Sequence, residues 1–147
     1  MRQILLILMC LAPFSDYLNA QEHLSDLHRA LVVTALSLEG TPYRYGGTTD
    51  KGIDCSGFVM AVYLRHNIVL PHSSSAQYKE CTDIDLADAC AGDLVFFNIR
   101  GRGVSHVGIC LGNHRFIHAA TSIGRVCISS LDEPYWKVRF HAAGRRI

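Results

Sequence analysis

Cys55 stands in the stretch GIDCSGFV, residues 52–59, between Asp54 and Ser56 and directly ahead of an apolar run. A thiol placed only for packing needs neither polar neighbour. A thiol that attacks a carbonyl must give up its proton, because a free cysteine with a pKa of about 8.5 is mostly protonated at neutral pH. Two devices favour the thiolate, a helix N-terminus and a nearby imidazole. From Cys55 onward, Phe58, Val59, Val62 and Tyr63 fall on one helical face, Asp54 suits the N-cap, and Asn67 suits a left-handed exit. Cys55 is therefore expected in the first turn of a helix, beside unpaired N–H groups placed to receive an oxyanion.

The imidazole must come from elsewhere in the chain, which has eight histidines. His106 lies in VSHVGICLG and His118 in RFIHAA, two segments with strand composition on either side of Gly112 and Asn113. A hairpin turning at that pair sets residues 106 and 118 nearly opposite each other, and their side chains are expected to share a face. Cys55, His106 and His118 then have the residue types of a nucleophile, a base and the group that orients the base. His114 and His118 share a strand face but stand roughly 13 Å apart on an extended chain, too far to grip one ion. No cysteine pair has the CxxC spacing of a structural zinc site, so no metal is assigned.

The elements that must position these groups follow from periodicity. Leu24, Leu27, Leu31, Ala35 and Leu38 predict a first helix over about residues 23–38, stopped at Gly40. The Gly-, Thr- and Pro-rich residues 41–52 predict an irregular loop that delivers the chain to Asp54. Residues 70–78 read as a turn into a short third helix capped by a serine. Residues 94–97, 104–111, 115–119 and 125–129 read as short strands separated by Gly-containing turns, while Tyr135, Trp136 and Phe140 read as core closure. Helices followed by strands predict an α+β domain in which N-terminal helices pack on a mostly antiparallel sheet.

At 147 residues the chain suits one compact core. A formal charge of +1 with scattered basic residues excludes an extended nucleic-acid face. The first residues combine Arg2, an apolar run over 4–12, Pro13 and a polar stretch ending at Ala20. They predict a signal peptide over 1–20, an exported domain over 21–147, and a location in the periplasm or cell envelope. A lipid anchor at Cys10 is not expected, because Met9 is larger than the residue such a site takes. Without the leader five cysteines remain, an odd number that leaves at least one free thiol. Cys81, Cys90, Cys110 and Cys127 allow three disulfide connectivities, or burial as small apolar residues.

GIDCSGFV, GDLVFF at 92–97, SHVGICLG at 105–112, FIHA at 116–119 and EPYWKVRF at 133–140 together resemble the NlpC-type cell-wall endopeptidases, papain-like cysteine peptidases of the bacterial envelope. The likeness runs from about residue 27 to the C-terminus and is nearest to the small Gram-negative murein endopeptidases. It implies a papain-like fold with Cys55 as nucleophile, His106 as base and His118 as third polar residue. It also implies a Tyr43 hydroxyl that reaches the cysteine, and Asp54 and Ser56 as holders of the substrate peptide. The implied partner is the peptidoglycan stem peptide, cut without a cofactor at the D-alanyl to meso-diaminopimelyl cross-link. Alternatives are cleavage of the γ-D-glutamyl-diaminopimelate bond, or a non-catalytic wall-binding module. The chain departs from the pattern at His72, where an arginine is usual, and at Cys110, commonly aromatic. Arg100 and Arg102, in NIRGRGVS, offer a cation to a stem-peptide carboxylate.

Overall fold

The computed structural model describes the backbone of residues 14–147 and the side chains from residue 24 onward. Most of the expected leader, residues 1–13, lies outside the described residues. Helix α1 (Phe14–Ser37) starts well before the expected residue 23. Its early part, FSDYLNAQEH, contains neither Gly nor Pro, so nothing local interrupts the helix once the chain has passed Pro13. Among its described side chains, His28, Leu31 and Ala35 are buried, followed by Leu38 just past its end.

Helix α2 (Cys55–Leu64) begins where the sequence places it, and Asn67 closes it at φ 62°. Phe58, Val59, Val62 and Tyr63 are fully buried against α1 and the sheet. Two two-residue strands, β1 (Thr48–Thr49) and β2 (Gly52–Ile53), pair in the loop that leads into it. Helix α3 (Ser74–Lys79) is capped by Ser73, whose hydroxyl accepts from the Ala76 N–H.

The C-terminal half forms one six-stranded sheet. Its strands are β3 (Thr82–Ile84), β4 (Leu94–Phe97), β5 (His106–Gly112), β6 (Arg115–Ala120), β7 (Arg125–Ser130) and β8 (Phe140–Arg145). Their order is β3-β8-β4-β5-β6-β7, and every pairing is antiparallel. The fold is thus α+β with helices first and sheet second, as the sequence predicts. Alternation along β4 to β6 divides two cores. Leu94, Phe96, Val107, Ile109, Ile117 and Ala119 meet the helices, while Val95, Phe97, Cys110 and Phe116 meet Trp136 of the short helix α4 (Pro134–Lys137) on the other face.

The Gly92-Asp93 turn joins the halves. Asp93 is 1% exposed and accepts from Arg145 Nε at 2.9 Å, Arg145 Nη2 at 2.7 Å and the Cys90 N–H at 2.7 Å. His28 Nε2 of α1 lies 3.3 Å from the same carboxylate, and the Tyr63 hydroxyl of α2 donates to the Gly92 carbonyl at 2.6 Å. One buried carboxylate therefore ties α1 and β8 to the start of β4. Asp93→Ala strips Arg145 of its partner and is expected to lower stability by about 3 kcal/mol, read from urea melts.

Candidate active site

Asp54 organises the entry to α2. One carboxylate oxygen, Oδ2, accepts from the Gly46 N–H at 2.9 Å. The other, Oδ1, accepts from the Gly57 N–H at 2.7 Å and from His72 Nε2 at 2.8 Å, with the Ser56 hydroxyl at 3.4 Å. The Asp54 carbonyl accepts the Phe58 N–H at 2.8 Å. Gly57 has to be glycine here: a Cβ would overlap the Gly47 carbonyl and lie 2.9 Å from Asp54 Oδ1. This packing clamps the 41–54 loop over the first turn of the helix, and Cys55 sits half-buried in that turn with a free thiol.

Cys55 and His106 line one cleft of about 580 Å³, together with Tyr43, Asp54, Ser56 and His72. The Cys55 sulfur is within reach of the Val107 N–H, next in the chain to His106, and of the N–H groups of Cys55 and Ser56. The six site residues predicted from sequence divide in two. Cys55, His106, Tyr43, Asp54 and Ser56 open on the cleft, whereas His118 is fully buried behind it and reaches it only through His106. Arg100 also lines the cleft.

His106 Nε2 lies 2.8 Å from His118 Nδ1, with the two rings edge-to-face at 86°. The geometry that brings them together differs from the predicted hairpin. The turn falls one residue later, at Asn113 and His114 with φ 51° and 58°. Register runs Gly112↔Arg115, Cys110↔Phe116 and Ile109↔Ile117, so Leu111 is bulged out of the ladder. Without the bulge the predicted turn and the later one alike would put His106 and His118 on opposite faces. With it, the register continues to Gly108 opposite His118, and His106 reaches across one diagonal. Gly108 makes room for this, since a Cβ there would lie 2.7 Å from Phe116 Cδ2 and 3.2 Å from His118 Cβ.

Two groups escaped the sequence reading. Trp136 stacks on the His106 ring at 5.4 Å and 23° as well as closing the core, a contact that spacing cannot reveal. Ser129 on β7 holds the far side of His118, its Oγ 2.9 Å from His118 Nε2.

The electrostatics correct one expectation. The helix N-terminus was expected to lower the Cys55 pKa, but burial pushes the thiol up to about 11, and the Asp54 carboxylate adds to the rise against the opposing N–H groups. Burial also pulls His106 down to about 4 and lowers His118, with the neighbouring His106 charge adding to the latter. The resting site is therefore a neutral thiol beside a neutral imidazole, and the proton must cross from sulfur to nitrogen during attack.

That neutral state has a stability consequence. His106 binds a proton more weakly folded than unfolded, so its contribution is full above the unfolded value near 6.5 and is lost as pH falls toward 4. Between pH 7 and 5 its share of the loss is about 2 kcal/mol, and His118 adds to it in the same direction. Urea midpoints should fall over that interval, and fall less in His118→Asn than in wild type.

The model of the NlpC/P60 family matches residues 40–145. The chain belongs to that family. It is 48% identical over 111 residues to the probable endopeptidase NlpC of Escherichia coli, covering 74% of this chain and 71% of that protein. It is 45% identical over 108 residues to the E. coli murein DD-endopeptidase MepS/murein LD-carboxypeptidase, covering 73% of this chain and 56% of that protein. The chain thus spans little more than half the length of MepS. Among solved structures, an NLP/P60 family lipoprotein-like protein of Staphylococcus aureus superposes with a TM-score of 0.75 at 34% identity, over 83% of this chain and 42% of that one. The NlpC/P60 fold thus accounts for the helices, the sheet and the cleft between them.

Proposed function

We propose that this NlpC/P60 chain is a cysteine peptidase that hydrolyses peptidoglycan stem peptides at the D-alanyl to meso-diaminopimelyl cross-link. The observation that carries the reading is a free thiol at the start of α2 opening on the same cleft as an imidazole that a second histidine holds from behind. The similarity to MepS, a murein DD-endopeptidase, supports the choice of bond.

With His106 Nε2 engaged by His118, Nδ1 is the nitrogen that takes the Cys55 proton. As it does so, the sulfur bonds to the carbonyl carbon of the D-alanyl residue and the carbonyl π pair moves onto oxygen. Gly57 N and Phe58 N are already bonded to Asp54, so the N–H groups of Cys55 and Ser56 are the ones left to hold that oxyanion. The oxyanion collapses, the C–N bond breaks, and the His106 imidazolium gives its proton to the departing amine. Water, deprotonated by His106, then cleaves the thioester and restores the thiol. Tyr43, Asp54 and Ser56 line the cleft where the stem peptide is held.

The same reading places the protein outside the cytoplasm, with residues 1–20 as the leader. Leu31 and Ala35, the buried apolar residues described in α1, lie beyond Ala20 and are kept after cleavage there.

Digestion of purified sacculi followed by mass analysis of the muropeptides tests the assignment. Conversion of cross-linked dimers to monomers with unshortened stems is the expected product. Shortened stems with the dimers intact would contradict the choice of bond and favour the γ-D-glutamyl linkage.

A further inference from the structure

We propose that Ser129 and Cys127 on β7 set the direction of the hydrogen-bond chain through His118, and thereby decide whether His106 can accept the Cys55 proton. The inference rests on the assignment of Cys55 and His106 made above.

Two neutral imidazoles joined by one hydrogen bond share one proton, and that proton has two possible owners. When it belongs to His106 Nε2, His106 Nδ1 carries a lone pair and serves as base. His118 Nδ1 is then the acceptor at 2.8 Å, so His118 carries its own proton on Nε2 and donates it to Ser129 Oγ at 2.9 Å. In the reverse direction the Ser129 hydroxyl donates to His118 Nε2, His118 Nδ1 donates to His106 Nε2, and His106 holds its proton on Nδ1. A ring in that form cannot take a proton from the thiol through Nδ1. The orientation of one hydroxyl therefore separates a competent base from an incompetent one.

Cys127 is placed to bias that orientation. It lies directly opposite His118 in the β6–β7 ladder and two residues before Ser129, so both side chains point to the face that carries His118. The Cys127 sulfur is 3.8 Å from His118 Nε2 and is within reach of the Ser129 side chain. With its hydrogen directed to that sulfur, Ser129 Oγ presents a lone pair to His118. The chain then runs in one sense, from Cys55 to His106, His118, Ser129 and Cys127. Ser129 is a positioning residue, since it acts on the reacting atoms only through two imidazoles.

The test combines 15N NMR of the imidazole tautomers with kcat and KM on a soluble cross-linked muropeptide dimer. Wild type should hold the His118 proton on Nε2. Ser129→Ala should shift the tautomer population toward Nδ1 and lower kcat about 10-fold with KM unchanged. Ser129→Thr, which keeps the hydroxyl, should restore both readouts, and Cys127→Ala should fall between Ser129→Ala and wild type. A wild-type His118 protonated on Nδ1, or a Ser129→Ala protein that keeps the proton on Nε2, overturns the proposal whatever its rate. Hydrolysis retained by Cys55→Ala would instead overturn the peptidase assignment.

Discussion

Cys55→Ala should leave purified sacculi undigested, with release of monomeric muropeptides lowered by about 10⁴-fold or more. The size of the loss follows from the chemistry, because no other nucleophile is proposed in the cleft. His106 alone can polarise a water, but it has no acyl acceptor to build the first intermediate. The variant should remain folded. Cys55 is a small, half-buried residue, and the Asp54 network that caps α2 makes its bonds to Gly46, Gly57 and His72 without the thiol. Melting curves matching wild type within a few degrees, beside absent hydrolysis, would separate lost chemistry from lost structure. Cys55→Ser should be nearly as inactive, since an alcohol yields its proton to His106 far less readily than a thiol.

His106→Ala is expected to lower kcat/KM at pH 7 by about 10³-fold, within the range general-base catalysis supplies. Its pH profile is the more telling result. In wild type the base is already deprotonated above its value of about 4, so the rate should be flat through neutrality. Without His106, only the thiolate population attacks. That population rises tenfold per pH unit below the raised thiol pKa, placed by burial at about 11 in the intact site. The variant's log rate should therefore climb with a slope near one from pH 6 to 10, narrowing the gap to wild type. A profile parallel to wild type would mean that His106 acts only in packing, where Trp136 and His118 surround it.

The parts of this site legible in the sequence are those with local causes. A carboxylate ahead of an apolar helical face announces a cap, and Asp54 is one. His106 in a run of Val, Gly and Ile is out of place unless something needs it there. The approach of the two histidines was legible only in part. Strict counting from a turn at 112 and 113 sets residue 107 opposite His118 and leaves His106 on the other face; the chain brings the two histidines together only through the bulge at Leu111, and a bulge leaves no signature in residue type. The strand β8 was missed because FHAAGR lacks β-branched residues, and it is held by pairing with β3 and β4 rather than by propensity. The same division explains the thiol. A helix N-terminus is visible in one stretch of sequence, whereas the burial that overrides it is assembled from distant segments. Trp136 and Ser129 act through contacts with side chains far from them in the chain, and neither position looks unusual by itself.

Graded alkylation with iodoacetamide, read by peptide mass at each cysteine and by muropeptide release from the same samples, tests the central claim most directly. The five described cysteines are all free, so each is scored separately, and exposed Cys90 should react without loss of activity. Activity is predicted to follow the unmodified fraction of Cys55 along a line through zero. Full hydrolysis by protein with Cys55 completely carboxamidomethylated would contradict the assignment of that sulfur as the nucleophile.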